Sequence, residues 1–222
     1  TPLVTIFSGV GLSMLIAAPI GAAASQVGTL IMWATEQAPL VMGILVSVIV
    51  GVALTLPISS AAICAALGLT GLAGGAAVAG CCAQMIGFAV MSYKENGVGG
   101  LVSQGLGTSM LQMGNIVKNP RIWIAPTLAS AITGPLATCV FHFEMNGAAV
   151  SSGMGTCGLV GQIGVYTGWV SDIAAGTKAA ITPMDWAAMV LLCFVLPAVL
   201  SVIFCEIERK LGWIKEGDLK LN

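Results

Sequence analysis

Long apolar stretches, each cut by proline, glycine or a short polar cluster, alternate along this chain with brief charged segments. The first runs from Leu3 to Ala34, broken at Pro19 and Gly21, and predicts a kinked or interrupted helix followed by a loop carrying Glu36. The next begins at Pro39, suited to the first turn of a helix, and ends at Leu56, where Pro57 stops it. Ser59 and Ser60 follow, then a short apolar run, the glycine cluster Gly68 to Gly80 and a hydrophobic stretch ending near Met91. Lys94 and Glu95 mark a return to water. From Gly97 to Val117 the chain is uncharged but rich in Gly, Ser, Gln and Asn, which predicts an interfacial or re-entrant segment rather than a span. Ile122 to Phe141 predicts a crossing interrupted at Pro126 and Pro135. A polar loop carrying Asp172, Lys178 and Asp185 precedes a charge-free terminal span, Trp186 to Cys205.

The pattern repeats. An offset of 87 positions aligns Pro39 with Pro126, Ala61-Ala62 with Ala148-Ala149, Gly68 with Gly155, Gly71-Leu72 with Gly158-Leu159, and Gly74 with Gly161. In this register Pro57-Ile-Ser59-Ser60 faces Glu144-Met-Asn146-Gly147. Each unit is a proline-punctuated helix, a polar break, a short apolar run and a glycine-rich continuation. Interrupted segments at matching positions of two halves point to a binding site near the middle of a membrane.

Composition identifies the solvent. Apolar residues make up 57% of the chain and charged residues 8%, with a mean hydropathy of +0.99, whereas soluble domains carry roughly 25% charged residues. No Asp, Glu, Lys or Arg lies between Gln37 and Tyr93, room for two crossings at about 20 residues each. The expected fold is an all-α integral membrane protein, a polytopic helical bundle with interrupted or re-entrant hairpins. Residues 1–205 form its membrane domain and residues 206–222 its tail. Arg209, Lys210, Lys215 and Lys220 put that tail in the cytoplasm, and Lys118 and Arg121 favour the same side. Trp33, Trp123, Trp169, Trp186 and Trp213 fall near segment ends, as interfacial or packing aromatics.

The net charge of −1 carries no nucleic-acid footprint. Seven scattered cysteines, Cys64, Cys81, Cys82, Cys139, Cys157, Cys193 and Cys205, form no CxxC pair and have one histidine for company, so they read as small packing residues and not as a metal site. No secretory signal is visible ahead of Thr1, and the chain reads as part of a longer polypeptide.

The candidate chemistry lies between His142 and Gly164. The only histidine and the acidic Glu144 stand at the mouth of a glycine-rich, otherwise uncharged run. Charge within hydrocarbon costs several kcal/mol unless it faces a cavity or a partner, so an intramembrane carboxylate beside non-helical sequence is a functional-site candidate. Glu144 can accept hydrogen bonds from ligand hydroxyls or, dehydrated, carry a proton. His142, two residues earlier, would point to another face of a helix, and reaches the same ligand only if the backbone is broken there. Asn146 offers donors and an acceptor, and Gly147 lets backbone line a cavity closely. Ser151, Ser152, Thr156 and Gln162, with Ser59 and Ser60 from the first unit, are either ligand donors or partners of backbone carbonyls. No P-loop, dinucleotide fingerprint, metal-ligand cluster or nucleophile–histidine arrangement is present, so no cofactor and no catalytic site of the chain's own is expected.

Three stretches carry a family resemblance. Pro57-Ile-Ser-Ser-Ala-Ala-Ile with Gly71-Leu-Ala-Gly-Gly-Ala-Ala, Asn119-Pro-Arg-Ile-Trp-Ile-Ala-Pro, and Glu144-Met-Asn-Gly-Ala-Ala-Val-Ser-Ser-Gly-Met-Gly-Thr with Gly158-Leu-Val-Gly-Gln-Ile-Gly resemble the membrane subunit IIC of bacterial phosphotransferase-system sugar permeases. More narrowly they resemble the branch that includes toxin-regulator-labelled members. The resemblance implies a homodimeric permease of the bacterial inner membrane, binding a sugar or related polyol and moving it by alternating access. Phosphorylation would come from separate IIB and IIA proteins. It implies that Glu144 and His142 are the counterparts of a glutamate and a histidine that bond sugar hydroxyls near re-entrant hairpins. Family members have further hydrophobic segments before the region matching Thr1, so the chain resembles a C-terminal portion. Two other readings stand beside this one: a proton- or ion-coupled transporter of a small metabolite, with Glu144 as proton carrier, and a membrane sensor acting through a partner docked on the tail.

Overall fold

Proline and glycine set the helix boundaries in the computed structural model, which describes residues 21–221. The first hydrophobic unit and its break at Pro19 lie largely outside those residues, but 21–37 are helical (α1). Helix α2 is Pro39–Thr55, with proline in its first turn. A short helix α3, Ser60–Leu67, is capped by Ser59, whose side chain accepts from Ala62 N at 3.2 Å. It ends at Gly68 in the left-handed conformation that glycine adopts without a Cβ clash. Helix α4 is Gly71–Met91, α5 Tyr93–Val102 and α6 Met113–Lys118, the last two joined by short π and 3-10 turns. Helix α7 is Ile124–Pro135, α8 Val160–Ala174, α9 Pro183–Val190 and α10 Leu196–Lys210.

The two prolines of the expected Ile122–Phe141 crossing do not interrupt it: one helical unit runs through Pro120–Val140. Pro126 is the third residue of α7, where the backbone N–H it lacks would have no partner in the helix. Pro135 is followed by a wider π-turn, Leu136–Val140, closed by Phe141 N donating to Leu136 O at 3.0 Å. The terminal span behaves alike, with a π-turn at Leu191–Val195 before Pro197, so helix persists from Pro183 to Lys210. Among the described residues three helical units are long and apolar enough to cross a membrane, Gly71–Met91, Pro120–Val140 and Pro183–Lys210, beside the shorter Pro39–Thr55. The molecule is an all-α membrane protein. Leu40, Ile49, Ile163 and Val199 are half-exposed or more, the apolar outer surface that lipid solvates.

Helix α4 is the centre of the bundle and is buried nearly throughout. Thr55 meets Gln84, and a Cβ on Gly80 would strike Ser47, so α2 and α4 run in the same direction. Ser47 Oγ donates to Ser130 O at 2.8 Å, and Gly43 packs on Gly134, so α7 runs opposite to both. Helix α8 also opposes α4: Gln162 at its start reaches Cys82, and Gly168 farther along lies against Asn146, beside the Gly71 end of α4. The 87-residue register therefore pairs α2 with α7 and α4 with α8, in reversed directions. It also pairs Gly68 (φ 64°) with Gly155 (φ 53°) and Gly71 (φ 61°) with Gly158 (φ 53°), all left-handed. The units differ where α3 faces a 3-10 turn, Ala149–Gly153.

Buried side-chain hydrogen bonds tie these helices, as they do where packing lacks a hydrophobic driving force. Gln84, fully buried on α4, receives bonds from Thr55 (3.3 Å) and Trp123 Nε1 (3.0 Å) and donates to Thr127 Oγ1 (3.3 Å). Cys64, Cys81, Cys82, Cys193 and Cys205 are buried thiols, and no disulfide forms among the described residues. Glu95 is not in water. Its side chain is 7% exposed, paired with Arg209 at 3.1 Å, and accepts from Leu219 N at 2.8 Å. Residues 211–221 fold back over α5 and α6, where Asn96, Gln112 and Asn115 bond the backbone of Leu219, Lys220 and Leu221.

Candidate functional site

Between the π-turn of α7 and the 3-10 turn at Ala149 the chain is neither helix nor strand, and this stretch builds the site. It turns at His142, whose φ of 44° is left-handed, and then runs past the start of α4. Along it Phe143 and Met145 are buried, while Glu144 is exposed and Asn146 half-buried, the alternation of an extended segment. The turn leaves the His142 side chain exposed beside them. Two backbone bonds at 3.0 Å between Gly71 and Met145 form a single bridge that holds the segment against the start of α4.

Glycine makes room for it on both sides. On α4, a Cβ at Gly75 would overlap the Phe143 carbonyl, and one at Gly74 would sit 2.9 Å from Ser152 Oγ. On α8, a Cβ at Gly168 would come within 2.8 Å of Asn146 N, and Gly164 packs on Ser151. Non-helical backbone at membrane depth is tolerated where protein buries it or it lines a cavity, and here both conditions hold.

His142, Glu144 and Asn146 face an open cavity of about 520 Å³. Its other walls come from α8, the α8–α9 connection and the start of α9, with Trp169, Asp172, Thr177, Lys178, Thr182 and Asp185 among them. Asn146 Nδ2 donates to Glu144 Oε2 at 3.0 Å and to Asp172 Oδ2 at 2.9 Å, so one amide links two carboxylates. Lys178 Nζ bonds Asp185 Oδ1 at 2.9 Å and lies 5.9 Å from the centre of the Trp169 ring. Asp185 forms a capping box with Thr182 at the start of α9. Trp169 is 5% exposed and packs edge-on against Trp186 at 5.6 Å. The site thus has hydrogen-bonding groups along one wall and an aromatic ring in another, the usual makings of a polar small-molecule pocket.

The family model described as phosphotransferase system, EIIC, matches residues 1–221. The chain belongs to the phosphotransferase-system EIIC family. No curated protein and no solved structure matches it. As an EIIC it is the membrane subunit of a sugar permease, and its transport partners in general are a sugar and a IIB protein.

The remaining polar residues of the expected EIIC site lie elsewhere. Ser59 caps α3, and Gly147 packs on Gly164. Ser60 Oγ donates to Gly153 O at 2.7 Å, Ser152 Oγ to Leu69 O at 2.7 Å and Thr156 Oγ1 to Gly105 O at 2.5 Å. Gln162 Nε2 bonds Cys82 Sγ at 3.3 Å, and Ser151 is buried against α8. None of these seven lines the cavity. Two of them lock the two polar breaks together, Ser60 to Gly153 and Ser152 to Leu69.

Asp172, Lys178 and Asp185 were read from the sequence as one polar loop, yet Asp172 is on α8 and Asp185 in the first turn of α9. Their charges, set in the flanks of apolar helices, were the available signal. Trp169, read as an interfacial aromatic, is a cavity wall.

Proposed function

We propose that this EIIC binds its sugar in the cavity beside the extended segment, with Glu144, Asn146 and His142 bonding hydroxyls and Trp169 lying against the ring. The observation that carries this reading is the left-handed turn at His142 followed by the alternation of residues 143–146, which together bring the histidine, the carboxylate and the amide to one cavity of about 520 Å³. A hexose is a ring of hydroxyls with an apolar face, so it calls for acceptors, donors and an aromatic surface together.

In this reading the sugar crosses by alternating access. The oppositely directed α2–α4 and α7–α8 units supply two bodies that can rock about the site. A separate IIB protein, recharged by IIA, phosphorylates the sugar on the cytoplasmic side. The permease is a homodimer of the bacterial inner membrane, with the basic residues beyond α10 cytoplasmic.

The test is titration of the purified protein with a panel of hexoses by calorimetry, comparing it with Glu144→Gln. The expected result is a sugar whose affinity falls about tenfold or more in the variant while its melting temperature is kept. Unchanged affinity in a folded Glu144→Gln protein overturns the assignment.

A further inference from the structure

The cavity is rich in acceptors and poor in free donors. Both Asn146 Nδ2 hydrogens are used, one on Glu144 Oε2 and one on Asp172 Oδ2. Glu144 Oε1 and Asp172 Oδ1 accept nothing from the described residues and stand open to the cavity. Lys178, the lining ammonium, is held on Asp185 and lies beside Trp169. The Thr182 hydroxyl donates to Asp185, and the Thr177 hydroxyl to the Asp172 carbonyl. Three lining carboxylates against one ammonium leave a formal balance of −2 before His142 is counted.

From this distribution we infer that the site selects neutral and ammonium-bearing sugars and rejects those carrying a carboxylate or a phosphate. The inference rests on the sugar-binding reading of the same cavity and names its substrate class. A hydroxyl or an ammonium supplies the donors that Glu144 and Asp172 lack. An anionic substituent brings only acceptors and meets a site of like net charge, in which the one lining ammonium, Lys178, is already offset by Asp185. An ammonium on the carbon next to a bonded hydroxyl satisfies the open Asp172 oxygen and gains from both carboxylates. Phosphorylated sugars, the products of phosphotransferase uptake, are held less tightly than the sugars themselves for the same reason, which favours their departure.

The experiment uses the purified protein in detergent at about pH 7.5 and moderate salt. Four probes on each of several epimeric rings are compared by calorimetry: the neutral hexose, its 2-amino-2-deoxy analogue, its uronate and its 6-phosphate. The expected order is amino sugar at least equal to hexose, with uronate and 6-phosphate at least tenfold weaker. Asp172→Asn should narrow the gap between amino sugar and uronate several-fold, and so should raising salt from about 0.05 to 0.5 M, which tests the charge effect without a variant. A uronate or 6-phosphate that binds as tightly as the hexose, in a manner lost in Glu144→Gln, overturns the charge selection while leaving the sugar site standing. No binding by any probe overturns the sugar site, and this inference with it.

Discussion

Asn146 and Asp172, 26 positions apart on an extended segment and a helix, are joined by a 2.9 Å hydrogen bond, and the same amide nitrogen holds Glu144 at 3.0 Å. Two carboxylates that would repel one another are thereby kept side by side. Asn146→Asp removes the donor and adds a third carboxylate. The expected outcome is at least a tenfold loss of sugar affinity and a lower melting temperature, read by calorimetry and thermal unfolding. Asn146→Asp binding like the parent would show that the bridge does not shape the site.

The segment 142–146 depends on missing side chains. Gly75→Ala and Gly168→Ala each place a Cβ against its backbone, which cannot move aside as a flexible side chain would. Each should cost about 1–3 kcal/mol, the range for overpacking, and should weaken sugar binding, since the segment carries three of the polar side chains. Gly99→Ala, where a Cβ meets nothing within 4 Å, is the control and should leave both quantities alone.

Gln84 joins α4 to α2, to α7 and to the 3-10 turn before α7 through four side chains, Thr55, Thr127, Ser130 and Trp123. Gln84→Ala leaves Thr55, Trp123 and Thr127 without that partner inside the bundle. A loss of about 1–3 kcal/mol is expected from unsatisfied buried groups, measured by unfolding in mild detergent. Gln84→Leu, of similar volume, should lose the hydrogen bonds and leave little cavity, so a gap between the two variants separates bonding from packing.

Glu208 on α10 is 4% exposed, and neither carboxylate oxygen has a hydrogen-bond partner among the described residues. A buried polar group without a partner is destabilising. Glu208→Met, which keeps the stem and removes the oxygens, should therefore raise the melting temperature. A drop would mean that the carboxylate is satisfied in the membrane by a group these contacts do not include. Nothing in its packing explains why a glutamate stands there.

The chain beyond α10 is strapped down by backbone bonds from Glu95, Asn96, Gln112 and Asn115. Asn96→Ala combined with Gln112→Ala should free residues 211–221. Faster cleavage by trypsin at Lys215 and Lys220, with the helical core intact, is the expected readout. Equal cleavage rates in parent and variant would refute the strap.

By itself the sequence determined the solvent, the helices and the place where the backbone breaks. Hydropathy reports lipid burial directly, and Pro57, Gly68 and the run after Phe141 act through local sterics that need no distant partner. It also singled out His142, Glu144 and Asn146, because polar groups in so apolar a chain are few. Tertiary structure decided the rest. That residues 142–146 leave the helix and run past α4 rests on the turn at His142 and on the bridge to Gly71, 74 positions from Met145, and that path brought all three side chains to one cavity. Ser60, Ser152 and Thr156 look in sequence like the donors of a site. Only the long-range packing showed that their hydroxyls bond the carbonyls of Gly153, Leu69 and Gly105 instead. Asp172, Lys178 and Asp185 joined the cavity because α8 and α9 pack around it, a matter of long-range contacts that periodicity, which senses neighbours a few residues apart, does not encode.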